Sequence, residues 1–255
     1  MGLLLDRVAL VTGGTQGIGL GIALQLAEEG ATVVICSRSA EKGPPALAEI
    51  EAVPGRGAYL QADVSQKQQA YGVVDQTVER FGRIDILVNN AQSTSLFVPI
   101  EEKTDDMYAL TLGSGLHASL WTMMAAFPRM RAQGGGRIIN FGSRRGVYGA
   151  SGSADYNAAK EAIRGLTRTA AREWGRYGIL VNAVAPAAES PGTAAYFAQH
   201  PEMAAKVLGS IPLRRLGDPR ADIGALVVGL ASDDGRFITG QTFMADGGMH
   251  LKRPD

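Results

Sequence analysis

The chain of 255 residues has a single cysteine, Cys36, so no internal disulfide can form. A buried thiol in a reducing compartment is the expected state. Excess charge of either sign is also missing, with 25 basic residues against 25 acidic ones. Nucleic acid and anionic membranes both select basic surfaces, so neither is expected as a partner. No apolar run approaches the ~20 residues that span a bilayer. The opening MGLLLDRVALVTGG lacks the basic stretch and small-residue cleavage site of a secretory leader. The three histidines, His117, His200 and His250, are too scattered to suggest a metal site. No repeat, low-complexity segment or linker divides the chain. The expectation is one cytoplasmic globular domain over residues 1–255, 45% hydrophobic and able to bury a sizeable core.

Seven short apolar runs rich in β-branched residues are present: 7–12, 31–36, 57–60, 84–90, 137–143, 179–185 and 241–245. They are nearly continuous rather than alternating, which predicts strands buried on both faces of a parallel sheet. Helical patterns lie between them. Ser65-Gln66-Lys67-Gln68 reads as a capping box for a helix to Phe81, Thr104 as the N-cap of a helix over 105–131, and Asp218-Pro219 as a third helix start. This alternation predicts an α/β doubly wound parallel sheet. The strand-free stretch 187–218 follows a strand's carboxyl end, the edge where such sheets bind ligands, and reads as a substrate lid. Tyr148, Tyr196, Phe197 and Met203 are candidates to line an apolar pocket beneath it.

The first strand runs into TGGTQGIG at 12–19. Glycines in a strand-to-helix turn let a dinucleotide pyrophosphate reach backbone N–H groups and a helix N-terminus. Gly13, Thr15, Gln16, Gly17, Ile18 and Gly19 are therefore candidate cofactor contacts. At the end of the second strand, where an acidic residue usually holds the ribose diol of NAD, stand Ser37 and Arg38. An arginine there can pair with a 2′-phosphate, which favours NADP over NAD. Asp63-Val64 closes the third strand, near the adenine, and Asn89-Asn90-Ala91 the fourth, near the nicotinamide, with Asn89 as the candidate contact. Tyr156 and Lys160 lie one helical turn apart. A free phenol titrates near pH 10, and a neighbouring ammonium would make it a better acid–base catalyst. Ser143, ending the fifth strand, could hydrogen-bond a substrate carbonyl.

TGGTQGIG, Asp63-Val64, NNA at 89–91, Ser143, YNAAK at 156–160, VNAVAP at 181–186 and ITGQTFMADGG at 238–248 together resemble the short-chain dehydrogenase/reductase family over essentially the whole length. The resemblance implies a seven-stranded Rossmann fold of strand order 3-2-1-4-5-6-7, a small carbonyl or alcohol substrate and a homotetramer or homodimer. It implies that Tyr156 is the acid in reduction and the base in oxidation. Lys160 would hold the nicotinamide ribose and lower the Tyr156 pKa, Ser143 would orient the carbonyl, and Pro186 would lie at the cofactor. Two other uses of the fold stay open: cofactor binding without efficient redox catalysis, and dehydration or isomerisation.

Three departures from the family pattern stand out. Gly115, in the unusual helical stretch Gly113-Ser114-Gly115, occupies the place of a catalytic-tetrad Asn whose carbonyl holds a water at a helix bend. A glycine keeps the bend and the carbonyl, so Gly115 stays a catalytic candidate. The family's NNAG reads NNAQ, so that Gln92 either fills the volume left at Gly115 or shapes the substrate pocket. Pro186-Ala187 replaces Pro-Gly, and Ser190, Pro191 and Thr193 compete for the carboxamide contact. Of Arg144 and Arg145, which follow Ser143, one, Arg145, is a candidate for an acidic substrate group, the alternative being that both are solvated or pair at a subunit contact; Tyr148 is a candidate for the substrate wall.

Overall fold

The computed structural model describes residues 2–95 and 97–251. Seven strands form one parallel sheet: β1 (Val8–Thr12), β2 (Thr32–Ser37), β3 (Arg56–Gln61), β4 (Ile86–Asn89), β5 (Gly136–Phe141), β6 (Ile179–Pro186) and β7 (Thr242–Ala245). Their order is β3-β2-β1-β4-β5-β6-β7. The continuous apolar runs have a simple cause. In β1, Ala9 and Val11 enter one core while Leu10 enters the other; in β2, Val33 and Ile35 oppose Val34 and Cys36. Each of these strands is apolar on both sides because helices cover both faces. Helices α1 (Gly17–Glu28) and α2 (Gly43–Glu51) cover the first face, and α3 (Lys67–Phe81) lies on the second. Cys36 is buried, as expected, and burial pushes its thiol up to about 12.

The helix expected over 105–131 is present but not regular. It consists of α4 (Asp105–Leu112), one π-turn at Gly113–His117, and α5 (Ala118–Ala132). Thr104 caps α4 by accepting from the Met107 amide. The capping box at 65–68 does not form. Gln66 is the N-cap of α3 with no side-chain bond, and the Ser65 hydroxyl instead donates to Asp63 Oδ1 at 2.7 Å. Asp63, two residues upstream, is the stronger acceptor and takes both the Ser65 amide and its hydroxyl. Asp218 caps its segment as expected, accepting from the amides of Arg220 and Ala221.

Beyond β5 come α6 (Arg144–Tyr148) and the long α7 (Ala154–Trp174). The lid stretch folds as α8 (Pro191–Gln199) and α9 (Pro201–Ser210), and α10 (Ala225–Ala231) returns to the first face. The strands being parallel, the loops that follow β1, β2, β4, β5 and β6 all leave the same edge of the sheet, and the candidate residues sit on them.

Candidate active site

The glycine turn joins β1 to α1. Gly13 and Gly17 have φ of 65° and 53°, a left-handed backbone that a side chain would strain. A Cβ on Gly19 would come 2.3 Å from the Gly13 carbonyl oxygen, so this helix can approach the turn only with glycine there. Gln16 is the N-cap of α1 and makes no capping bond, and no acidic residue occupies the first turn. The first N–H groups of α1 are therefore left uncapped at the cleft, beside Thr15 and Ile18, which is the donor set a pyrophosphate requires. The residues present fit a dinucleotide.

The neighbouring strand end differs from expectation in one residue. Asn89 is buried, its amide bonded to Asn140 Oδ1 at 2.9 Å and its carbonyl oxygen to the Thr122 hydroxyl at 2.7 Å. Its side chain ties β4 to β5 and α5 and does not face the cofactor edge. Asn90 does: its Nδ2 donates to the carbonyls of Thr12 and Gly13, at 3.0 and 3.2 Å. Successive strand residues point to opposite faces, and the paired asparagines hid which one faced the turn.

Ser37 ends β2, and its hydroxyl donates to the Ser39 carbonyl. Arg38 is exposed and reaches across the cleft mouth to the Ser93 hydroxyl at 3.2 Å. Lys42, which sequence reasoning passed over, stands on the same rim, its ammonium 2.6 Å from Gln16 Oε1. Two cations thus flank the end of β2, and neither is paired with a carboxylate among the described residues. Asp63 Oδ1 is occupied by Ser65, and the Val64 side chain is buried in the core, leaving its backbone at the cleft. On the far side, Pro186 ends β6. Ser190 caps α8 and bonds the Thr193 hydroxyl at 2.9 Å. A Cβ on Gly17 would lie 3.3 Å from the Pro191 ring, so the start of α8 rests over the glycine turn.

Ser143, Tyr156 and Lys160 converge where β5 ends against α7. Ser143 Oγ accepts from the Arg145 amide at 3.1 Å, which leaves the hydroxyl proton free to be donated. Lys160 is buried, its Nζ 2.9 Å from the Phe141 carbonyl oxygen and 5.5 Å from the centre of the Tyr156 ring. Burial pushes its ammonium down to about 7. Burial pushes the Tyr156 phenol up, while the Ser143 hydroxyl and the charge of Arg145 pull it back. The charge of Arg145 thus bears on the phenol alongside the Lys160 ammonium above its ring.

The three residues expected to meet substrate each have partners within the protein. The Arg145 guanidinium donates to the Ser151 carbonyl at 3.3 Å and to the Ser153 hydroxyl through Nε and Nη2. The Tyr148 hydroxyl donates to the carbonyl oxygen of His250, on the C-terminal segment. Gln92 turns toward the π-turn: its Nε2 donates to the carbonyls of Ser93 and Thr111 at 2.8 and 3.0 Å. A Cβ on residue 115 would come 2.2 Å from Gln92 Oε1. Gln92 thus fills the space that a side chain at Gly115 would need. The Gly115 carbonyl accepts from the Ser119 hydroxyl at 2.7 Å.

One element of the site had no signal in the sequence. The Lys103 ammonium lies 2.7 Å from Asp155 Oδ1, both side chains being fully buried, one residue from Tyr156. No group among the described residues could hold a metal ion. A cavity of about 450 Å³ bounded by Arg7, Arg83, Asp85, Arg137 and Arg236 opens at the opposite edge of the sheet and includes none of the candidate residues.

A doubly wound parallel sheet, an uncapped helix behind a glycine turn, and a Ser–Tyr–Lys cluster facing the same cleft define the class of dinucleotide-dependent oxidoreductases. Comparison with known proteins agrees. The family model described as enoyl-(acyl carrier protein) reductase matches residues 13–250. A 12alpha-hydroxysteroid dehydrogenase of a Clostridium species is 38% identical over 256 residues, covering 98% of both chains. A 3-oxoacyl-(acyl-carrier-protein) reductase of Staphylococcus aureus is 39% identical, covering 97% of this chain and 99% of that one. Among solved structures, a short-chain type dehydrogenase/reductase from Mycobacterium ulcerans superposes with a TM-score of 0.93 at 29% identity, over 99% of this chain and 93% of that one. An NAD+-bound xylitol dehydrogenase superposes at 0.88 with 33% identity, over 94% and 98%. The chain belongs to the short-chain dehydrogenase/reductase family. It is an oxidoreductase that uses a nicotinamide cofactor to act on the CH–OH or carbonyl group of a small molecule.

Proposed function

We propose that the protein is an NADP(H)-dependent enzyme interconverting a ketone and a secondary alcohol, with Ser143, Tyr156 and Lys160 as its catalytic residues. The observation that carries this reading is the convergence of those three side chains on the cleft floored by the glycine turn. When bound, the nicotinamide supplies the hydride in reduction and accepts it in oxidation. Ser143 donates its free hydroxyl proton in a hydrogen bond to the substrate oxygen and holds it in place. Tyr156 gives its phenolic proton to that oxygen in reduction and takes it back in oxidation. Lys160, near 7, exists in both protonation states at neutral pH and can return a proton to the phenolate.

Arg38 and Lys42, neither paired with a carboxylate among the described residues, support the choice of NADP. The fully exposed Phe237 and the half-exposed Met124 and Leu110 support burial against further copies of the chain, as a homodimer or homotetramer. The free, buried Cys36 fits a cytoplasmic location, and no helix among the described residues is long and apolar enough to cross a membrane.

The test is NADPH consumption over a panel of ketones, with fluorescence titration of NADPH and NADH. Tyr156→Phe should keep its NADPH affinity and lose roughly 10²–10⁴-fold in turnover. Arg38→Ala should weaken NADPH by about tenfold or more and leave NADH nearly unchanged. Undiminished turnover in Tyr156→Phe refutes the catalytic assignment, and tighter binding of NADH by the parent enzyme refutes the cofactor choice.

A further inference from the structure

The structure encloses a complete ion pair next to the residue that handles the proton. Lys103 ends the segment that leaves β4 and runs along the substrate side of the cleft. Its Nζ lies 2.7 Å from Asp155 Oδ1, off the line of a hydrogen bond, and donates its aligned bond to the Ser95 carbonyl. Asp155 Oδ2 accepts from the Thr111 hydroxyl at 2.7 Å, and Thr111 is two residues from the start of the π-turn. Burial pushes the Asp155 carboxyl up, but Lys103, Thr111 and the adjacent backbone N–H of Tyr156 together hold it below its ordinary range. Both charged side chains are 0% exposed. An acid suits the first turn of α7, where Asp155 stands, but two ions are costly to take out of water and here both are fully buried.

The same few residues are gripped from the other side. Arg145 binds Ser151 and Ser153, the latter being the N-cap of α7, and the Val98 amide donates to the Gly152 carbonyl. The first turn of α7 therefore has three anchors, and the deepest is the one made of opposite charges buried together.

We propose that Lys103 and Asp155 are positioning residues for proton transfer, and that their ion pair locks the substrate-side segment to the turn bearing Tyr156 so that the phenol is held against Ser143. The proposal rests on the reading of Tyr156 as the acid–base group. Loss of the lock lets the first turn of α7 shift and lengthens the approach of the phenol to Ser143 and Arg145, the two groups that hold its pKa down. The phenol then becomes a weaker acid, and both the alkaline limb of reduction and the rising limb of oxidation move to higher pH.

The decisive variant is Lys103→Met/Asp155→Asn. It removes both charges together, so no ion is left stranded, and the amide oxygen introduced at position 155 keeps an acceptor for Thr111 and the Tyr156 N–H. NADPH affinity and melting temperature should stay close to those of the parent. The value of kcat should fall at least tenfold, with a smaller change in KM, and the pH limbs should rise by about half a unit or more. A folded, NADPH-binding double variant with parental kcat and pH profile would show that the pair only stabilises the fold, and would overturn the proposal. If the double variant does not fold, Thr111→Val decides. This change deletes one bond to Asp155, and it should lower kcat by roughly two- to fivefold with the same direction of pH shift; a parental profile there overturns the proposal as well. Tyr156→Phe is measured alongside. Full turnover in that variant removes the acid–base reading itself, whereas its inactivity beside a parental Lys103→Met/Asp155→Asn removes only the positioning role.

Discussion

Gln92 and Gly115 act as one unit. The Gln92 amide is tied down by bonds to the Ser93 and Thr111 carbonyls, so it cannot swing away cheaply when residue 115 gains a side chain. Gly115→Ala and Gly115→Asn should each cost about 1–3 kcal/mol of overpacking. In the Gln92→Gly background most of that cost should vanish, giving a coupling of roughly 1–2 kcal/mol in a double-mutant cycle read by urea denaturation. Additivity of the two changes would show that they do not share the space. A family comparison of residue types locates both departures and offers the contact between them as one of two readings, without deciding it. The contact depends on a χ angle, and spacing carries no information about side-chain direction. Asn89 and Asn90 make the same point, since adjacent identical residues divided a core role and a cleft role between them.

At the level of elements, the strands and their order were legible because a strand covered on both faces must be apolar on both. The irregularity of the central helix was also legible, because two interior glycines mark a place where regular helix is not favoured. Their roles differ in a way the sequence does not show. A Cβ on Gly113 would find only Ser65 Cβ, at 3.8 Å, while one on Gly115 meets Gln92. Gly113→Ala should therefore stabilise the protein by about 0.5–1 kcal/mol, visible as a raised melting temperature, and a loss of stability there would mean that the π-turn itself needs the glycine. Lys103 was illegible for a different reason. It sits in the charged run EEKTDD at 101–106, which reads as a solvated loop, and only the folded chain brings it to Asp155. Local composition predicts exposure, and a tertiary contact overrides it.

For the molecule as a whole, the buried amine at the centre of the site sets a pH dependence of stability. Lys160 titrates at about 7 when folded and at its ordinary 10.5 when free. Between those values the unfolded chain holds the extra proton, so this group makes stability rise with pH from 7 toward 10.5. Below 7 its full cost is present, and above 10.5 it is gone. Lys160→Met should thus be more stable than the parent at about pH 6, by roughly 2–5 kcal/mol. The gap should close as the pH approaches about 10 in parallel urea titrations without cofactor. A pH-independent difference would mean that the amine is not desolvated in the folded state.

Neither α8 nor α9 contributes a buried residue, and the first of them touches the rest of the protein chiefly through Pro191 over Gly17 and the stacking of Tyr196 on Phe97 at 6.0 Å. Amino-acid replacements across these two helices therefore cost the core almost nothing. Variation there would reshape the surface above the glycine turn and leave the Ser143, Tyr156 and Lys160 side chains below it as they are.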